Sequence, residues 1–152
     1  MVVLEKWPIL EGGMTAVQWL QVWADLGRSP RTATRMPGRW PITVGPDDVA
    51  EGDRIFASHG EWMKGHPREG DVALLDYTIS KGPELSNPMD PNSEPTGKTI
   101  FVIDEYYESP AGIARHWQDA MDNWTDMSAV MAWSAKGTVA TLHNGTALQA
   151  LW

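Results

Sequence analysis

Two segments carry apolar side chains on both sides of an extended chain, and they constrain the fold more than anything else in the sequence. Asp71 to Ser80 reads DVALLDYTIS. Ala73, Leu75, Tyr77 and Ile79 fall to one side, and Val72, Leu74, Asp76 and Thr78 to the other. Thr99 to Glu108 reads TIFVIDEYYE, with Phe101, Ile103 and Tyr107 opposite Ile100, Val102 and Tyr106. Strands of this kind belong to a sheet covered on both faces. The rest of the chain has to supply the covers.

The neighbouring segments supply one of them. Trp40 to Val44 reads as a short strand, and Gly45-Pro46-Asp47-Asp48 opens a helix, with proline and acids suited to a first turn. On that helix Val49, Gly52, Phe56, His59 and Met63 form an inward stripe flanked by Ile55 and Trp62, and Gly65 and Pro67 end it. Between the two long strands lies KGPELSNPMDPNSEPTGK, whose prolines and glycines predict an irregular loop of functional or mobile character. Ser109-Pro110 starts a second helix, with Ile113, Trp117, Ala120 and Trp124 on one face. Thr125 or Asp126 caps a further turn through Met127, Val130 and Trp133, stopped by Gly137. Thr138 to His143 is a last strand, and an apolar tail follows the Asn144-Gly145 turn.

The order is β-α-β-β-α-β, an α+β ferredoxin-like motif with an antiparallel sheet and both helices on one face. The other face is open in a single copy. A second copy of the chain is the simplest cover, and the N-terminal segment is the competing one. A homodimer through the sheet is therefore expected.

Composition narrows the function classes. With 42% hydrophobic and 21% charged residues the chain is ordinary for a folded protein. It has no cysteine, which excludes disulfides, thiol catalysis and cysteine-held metals. A net charge of −8 makes nucleic acid an unsuitable partner. No apolar run is long enough for a membrane helix. The charge is uneven. Residues 1–39 carry Lys6, Arg28, Arg31, Arg35 and Arg39 against only Glu5, Glu11 and Asp25, and the remainder is strongly acidic. Met36-Pro37-Gly38-Arg39-Trp40-Pro41 marks the change and reads as a linker. The expected division is an extension over 1–39, with one helix from about Met14 to Leu26, and a domain over 40–152. The apolar run precedes its basic residues, unlike a secretory signal, so a cytoplasmic protein is expected.

Phe101 to Trp117, FVIDEYYESPAGIARHW, resembles the third strand and second helix of the dimeric α+β barrel superfamily. Tyr77 with Ser80-Lys81-Gly82-Pro83-Glu84, and the tail Leu148 to Trp152, resemble small uncharacterised bacterial members. The resemblance covers about residues 40–152. That superfamily includes antibiotic-biosynthesis-type monooxygenases, haem-degrading enzymes, chlorite dismutases and stress-responsive dimers, so membership alone says little about chemistry. It implies a small, aromatic or apolar ligand between sheet and helices, and at most a cofactor-independent monooxygenase. A non-catalytic structural or stress-response dimer is the alternative. In the haem-degrading branch a histidine of this helix holds the iron, which by position is His116. Only Arg115 and Arg54 are then at hand for the propionates, in an acidic setting that opposes a dianion.

Particular residues bear on these alternatives. His59 points at the sheet, as acid, base or ligand, or as a core histidine bonded to a carbonyl or to Tyr77. Asp76 interrupts an apolar strand; if buried, its pKa rises and it becomes a general base, and otherwise it is an edge or interface carboxylate. Phe56, Trp62, Met63 and Trp117, among nine tryptophans, line a ligand crevice or simply fill the core. His59 and His66 are seven apart with Gly65 intervening, and so are no metal pair on one helix face; His143 lies near a turn. Asp104 and Glu105 point to opposite faces, so they form no paired-carboxylate site. No metal and no cofactor is expected.

Overall fold

The computed structural model describes residues 36–142 together with Leu148 and Gln149. All belong to one compact unit, Thr34–Ala150. The expected helix over Met14 to Leu26, His143 and most of the apolar tail lie outside the described residues.

The first strand, β1 (Met36–Val44), starts earlier than the sequence suggests. Met36 to Arg39, read above as linker, pairs with the end of β3, from Met36↔Tyr107 to Arg39↔Asp104. Pro41 is tolerated because of where its missing donor falls. Arg39 and Pro41 direct their backbone groups away from β3: Arg39 N donates to Leu142 O at 3.1 Å, and Pro41 O accepts from Ala140 N at 3.0 Å. The register with β3 then runs without a shift to Val44↔Thr99.

A 3-10 turn, Pro46–Asp48, leads into α1 (Val49–Met63). The buried positions are Gly52, Ile55, Phe56, His59 and Met63: the expected helical stripe, except that the flanking Ile55 is buried and Val49 only partly so. Gly52 is the point of closest approach. A Cβ there would lie 2.6 Å from Cζ2 of Trp133 and 2.9 Å from Cζ of Phe101.

The hairpin of β2 (Leu74–Leu85) and β3 (Pro95–Tyr107) is longer than expected. Much of the predicted loop is strand, and only 86–94 connects the two. Pro83 sits in β2, an edge strand among the described residues, and Pro95 is the first residue of β3, both places where proline is accepted. Near its start β2 carries an irregularity: Leu74 pairs with Tyr107 and Asp76 with Tyr106, leaving Leu75 as the extra residue. This corrects the simple alternation. Leu74 and Tyr77 both turn toward the helices, and Asp76 turns away.

Ser109 caps α2 (Pro110–Asn123). Its Oγ accepts from Ala111 N at 3.1 Å and donates to Asp71 O at 2.7 Å, tying the helix start to the loop before β2. The short α3 (Met127–Ser134) follows, then β4 (Thr138–Val139).

The sheet is antiparallel, in the order β2-β3-β1-β4. The α+β class expected from the sequence is what the chain adopts. Ile42, Val44, Phe101 and Ile103 of the sheet meet Ile55, Phe56, Ala120, Trp124, Met127 and Trp133 of the helical layer. A second cluster joins Met63, Leu74, Tyr107 and Ile113. No helix among the described residues is long and apolar enough to cross a membrane.

Candidate functional site

Where the two core clusters meet, the helix–sheet interface turns polar. His59 is the polar member of the α1 stripe. Glu105 follows Phe101 and Ile103 in the β3 alternation, so the phase that buries those side chains buries it too. His116 is three residues past Ile113 on the inner face of α2. These are the buried polar side chains among the described residues, at 2%, 4% and 2% exposure.

Each has a partner on its far side. Nδ1 of His59 is 2.8 Å from the Tyr77 hydroxyl. Nδ1 of His116 is 3.1 Å from Nε2 of His66, in the loop just beyond α1. Tyr107 donates its hydroxyl hydrogen to Oε2 of Glu105 at 3.1 Å. The other carboxylate oxygen, Oε1, is buried without a hydrogen-bond partner and lies 3.9 Å from Nε2 of His116. One donor atom from each of His59, Glu105 and His116 fits within 4.8 Å of the others.

Aromatic rings enclose the group. Trp124 is 4.8 Å from the His59 ring, and Trp62 is 5.3 Å from that of His116, centroid to centroid. Trp62 also stands edge-on to His66 at 4.6 Å, and Trp40 packs against Trp117 at 4.5 Å. Burial among these rings sets the protonation states. Loss of solvation pushes Glu105 up to about 7, against the lowering effect of the Tyr107 hydrogen bond. Loss of solvation lowers His59 to about 4, with His66 adding to it, and also lowers His66 itself. Burial raises both tyrosine hydroxyls above their usual range, so both stay protonated, and toward Nδ1 of His59 the Tyr77 hydroxyl donates or accepts according to the imidazole tautomer. At neutral pH His59 is an uncharged imidazole beside a carboxyl that is part acid, part carboxylate.

A cavity of about 220 Å³ adjoins this group. His59 and His116 are on its wall, with Trp40, Ile42, Phe56, Trp117, Ala120 and Met127 among the apolar lining. Of the residues expected at a crevice, Phe56 and Trp117 line it. Met63 lies instead in the second cluster, and Trp62 packs on the imidazoles. Tyr77 reaches the site through His59. Asp76 does not join it: it is exposed, on the opposite sheet face, with Oδ1 accepting from Tyr77 N at 2.8 Å. The condition set for Asp76 as a general base, burial, is not met.

The residues overlooked in the sequence are Glu105, Tyr107 and His66. Beside Glu105 in the sequence stands Asp104, which faces the other way and pairs with Arg39. The usable signal for Glu105 was its phase with Phe101, Ile103 and Tyr107. His66 has no local signal, since its partner His116 is 50 residues away. The haem alternative finds no fit in this arrangement. Nδ1 of His116 faces His66 and Nε2 faces Glu105, no lysine or arginine among the described residues lines the cavity, and its volume of about 220 Å³ is below even the ~300 Å³ at which pockets for drug-sized ligands begin, far short of a porphyrin.

Compared with protein-family models, with curated proteins and with solved structures, the chain finds no match, so its chemistry rests on the residues just described.

Proposed function

We propose that the chain binds a compact, largely apolar small molecule, such as a single aromatic ring with one polar end, between its helices and sheet. The observation that carries this is the apolar cavity of about 220 Å³ with two imidazoles as its polar wall. Apolar surface supplies affinity, and a few placed polar groups supply orientation. The antiparallel strand order β2-β3-β1-β4 supports a ferredoxin-like β-α-β-β-α-β reading and, with it, kinship with the dimeric α+β barrels.

The same geometry supports a catalytic form. His59 is uncharged at neutral pH and is held by Tyr77, so it can accept a hydrogen bond from, and orient, the polar end of a ligand seated in the cavity, while its pKa of about 4 makes it a weak base. Glu105, poised near 7, takes the role first considered for Asp76. In a cofactor-independent monooxygenase the deprotonated ligand itself reduces dioxygen, and the protein needs only a base and a dry pocket.

Phenol is a suitable probe. Calorimetric titration is expected to give saturable binding with Kd between about 10 μM and about 1 mM, the range open to so small a ligand. Ala120→Phe, which fills the cavity from α2, is expected to abolish it while the circular dichroism spectrum stays unchanged. Absence of saturable phenol binding to the wild type would overturn the ligand reading and favour a non-catalytic dimer.

A further inference from the structure

We infer that His59, Glu105 and His116 form a site for one divalent first-row transition ion, opening onto the apolar cavity. The donors come from three different elements, α1, β3 and α2, and converge within 4.8 Å while all three side chains are buried. Two imidazoles and one carboxylate are the donor set of catalytic zinc and of non-haem iron(II) centres. Among the described residues no other group of three such side chains gathers in this way.

The unpartnered oxygen points to an ion. Glu105 has 4% exposure, and Oε1 accepts nothing. A buried carboxylate oxygen with no donor is costly, and native structures rarely keep one without a reason. A cation between Oε1 and Nε2 of His116, now 3.9 Å apart, would supply the missing partner. In a shell with bonds of about 2.0–2.2 Å, neighbouring donor atoms stand about 3–3.5 Å apart. From 4.8 Å the group therefore has to contract by about 1.3–1.8 Å at its widest, within reach of side-chain rotations.

Behind each donor stands the kind of partner that holds metal ligands in place. Tyr77 stands at Nδ1 of His59, His66 stands at Nδ1 of His116, whose Nε2 faces Glu105, and Tyr107 holds the second oxygen of Glu105. Such contacts fix ring orientation and ligand basicity. His59 and His116 also border the cavity, so a coordination position is open on that side, as in catalytic rather than closed structural sites. The chain has no cysteine, so soft ions that need thiolate are not the occupants.

This inference does not depend on the ligand reading, and the two fail separately, but an ion here takes the lone pairs of His59 and Glu105 and so excludes the form in which they act as free bases. Chelator-treated full-length protein is titrated with Zn²⁺ by calorimetry and with Co²⁺ by visible d–d absorption. One ion per chain is expected, at submicromolar Kd for Zn²⁺. Glu105→Gln keeps the shape and removes the charge, and is expected to weaken binding at least 100-fold while the protein stays folded by circular dichroism. His66→Ala leaves the donors intact and is expected to weaken it about 10- to 100-fold. A wild-type protein that binds no Co²⁺, or stoichiometric binding unchanged in Glu105→Gln, would overturn the site. Phenol binding to the metal-free protein continues to report on the cavity in either case.

Discussion

Burial pushes His59 and Glu105 in opposite directions, and stability should follow pH accordingly. His59 falls from 6.5 to about 4, so between those values the unfolded chain binds more protons and stability rises with pH. Glu105 rises from 4.5 to about 7, so the folded chain holds more protons and stability falls with pH across that window. Each effect is on the order of 3 kcal/mol at full extent, and they oppose each other between 4.5 and 6.5. The metal-free wild type should therefore show a flat Tm over that range. Glu105→Gln should expose the rising limb, and His59→Gln the falling one. Thermal melts at half-unit pH steps read both, and parallel profiles for all three proteins would contradict the assignments.

Individual elements were legible in the sequence wherever local chemistry decides them. The Ser109 cap, the β3 alternation and the α1 stripe from Gly52 to Met63 follow the sequence pattern, because periodicity and capping act within a few residues. Two features escaped. Leu75 reverses the phase of β2, a register change that no side-chain pattern announces. The loop prolines were read as breakers, although an edge strand accepts them. The site was half legible: His59, Tyr77 and His116 carried signals on their own segments, whereas Glu105 and His66 gain meaning only from partners on other elements. Gly52 shows the same dependence on packing. The indole it faces is fixed, because Trp133 Nε1 donates to Asp48 O at 2.8 Å. Gly52→Ala gains helix propensity yet should cost about 1–3 kcal/mol through overpacking. Urea denaturation measures this, and a stabilised variant would show that the indole can move aside.

For the whole molecule the open question of assembly lies on the sheet face away from the helices. Pro41, Ile100, Val102 and Tyr106 sit there partly exposed, together with the Arg39–Asp104 ion pair. A second copy covering this face is the proposed dimer. Light scattering at micromolar concentration should give twice the 16.9 kDa chain mass, and Val102→Glu should shift it to the single-chain value. A wild type that is already monomeric removes the proposal.

The edge of the hairpin limits what such assembly can become. Beyond β2 no strand pairs among the described residues, and its outer half carries Lys81, Pro83 and Glu84, with a second break in register between Pro83 and Leu85. A neighbouring chain that tried to extend the sheet there would meet a missing amide hydrogen, a kink and two charges. Growth by strand addition, the route to open-ended fibres, is blocked at that rim. The dimer expected through the sheet face would therefore not seed a polymer from β2.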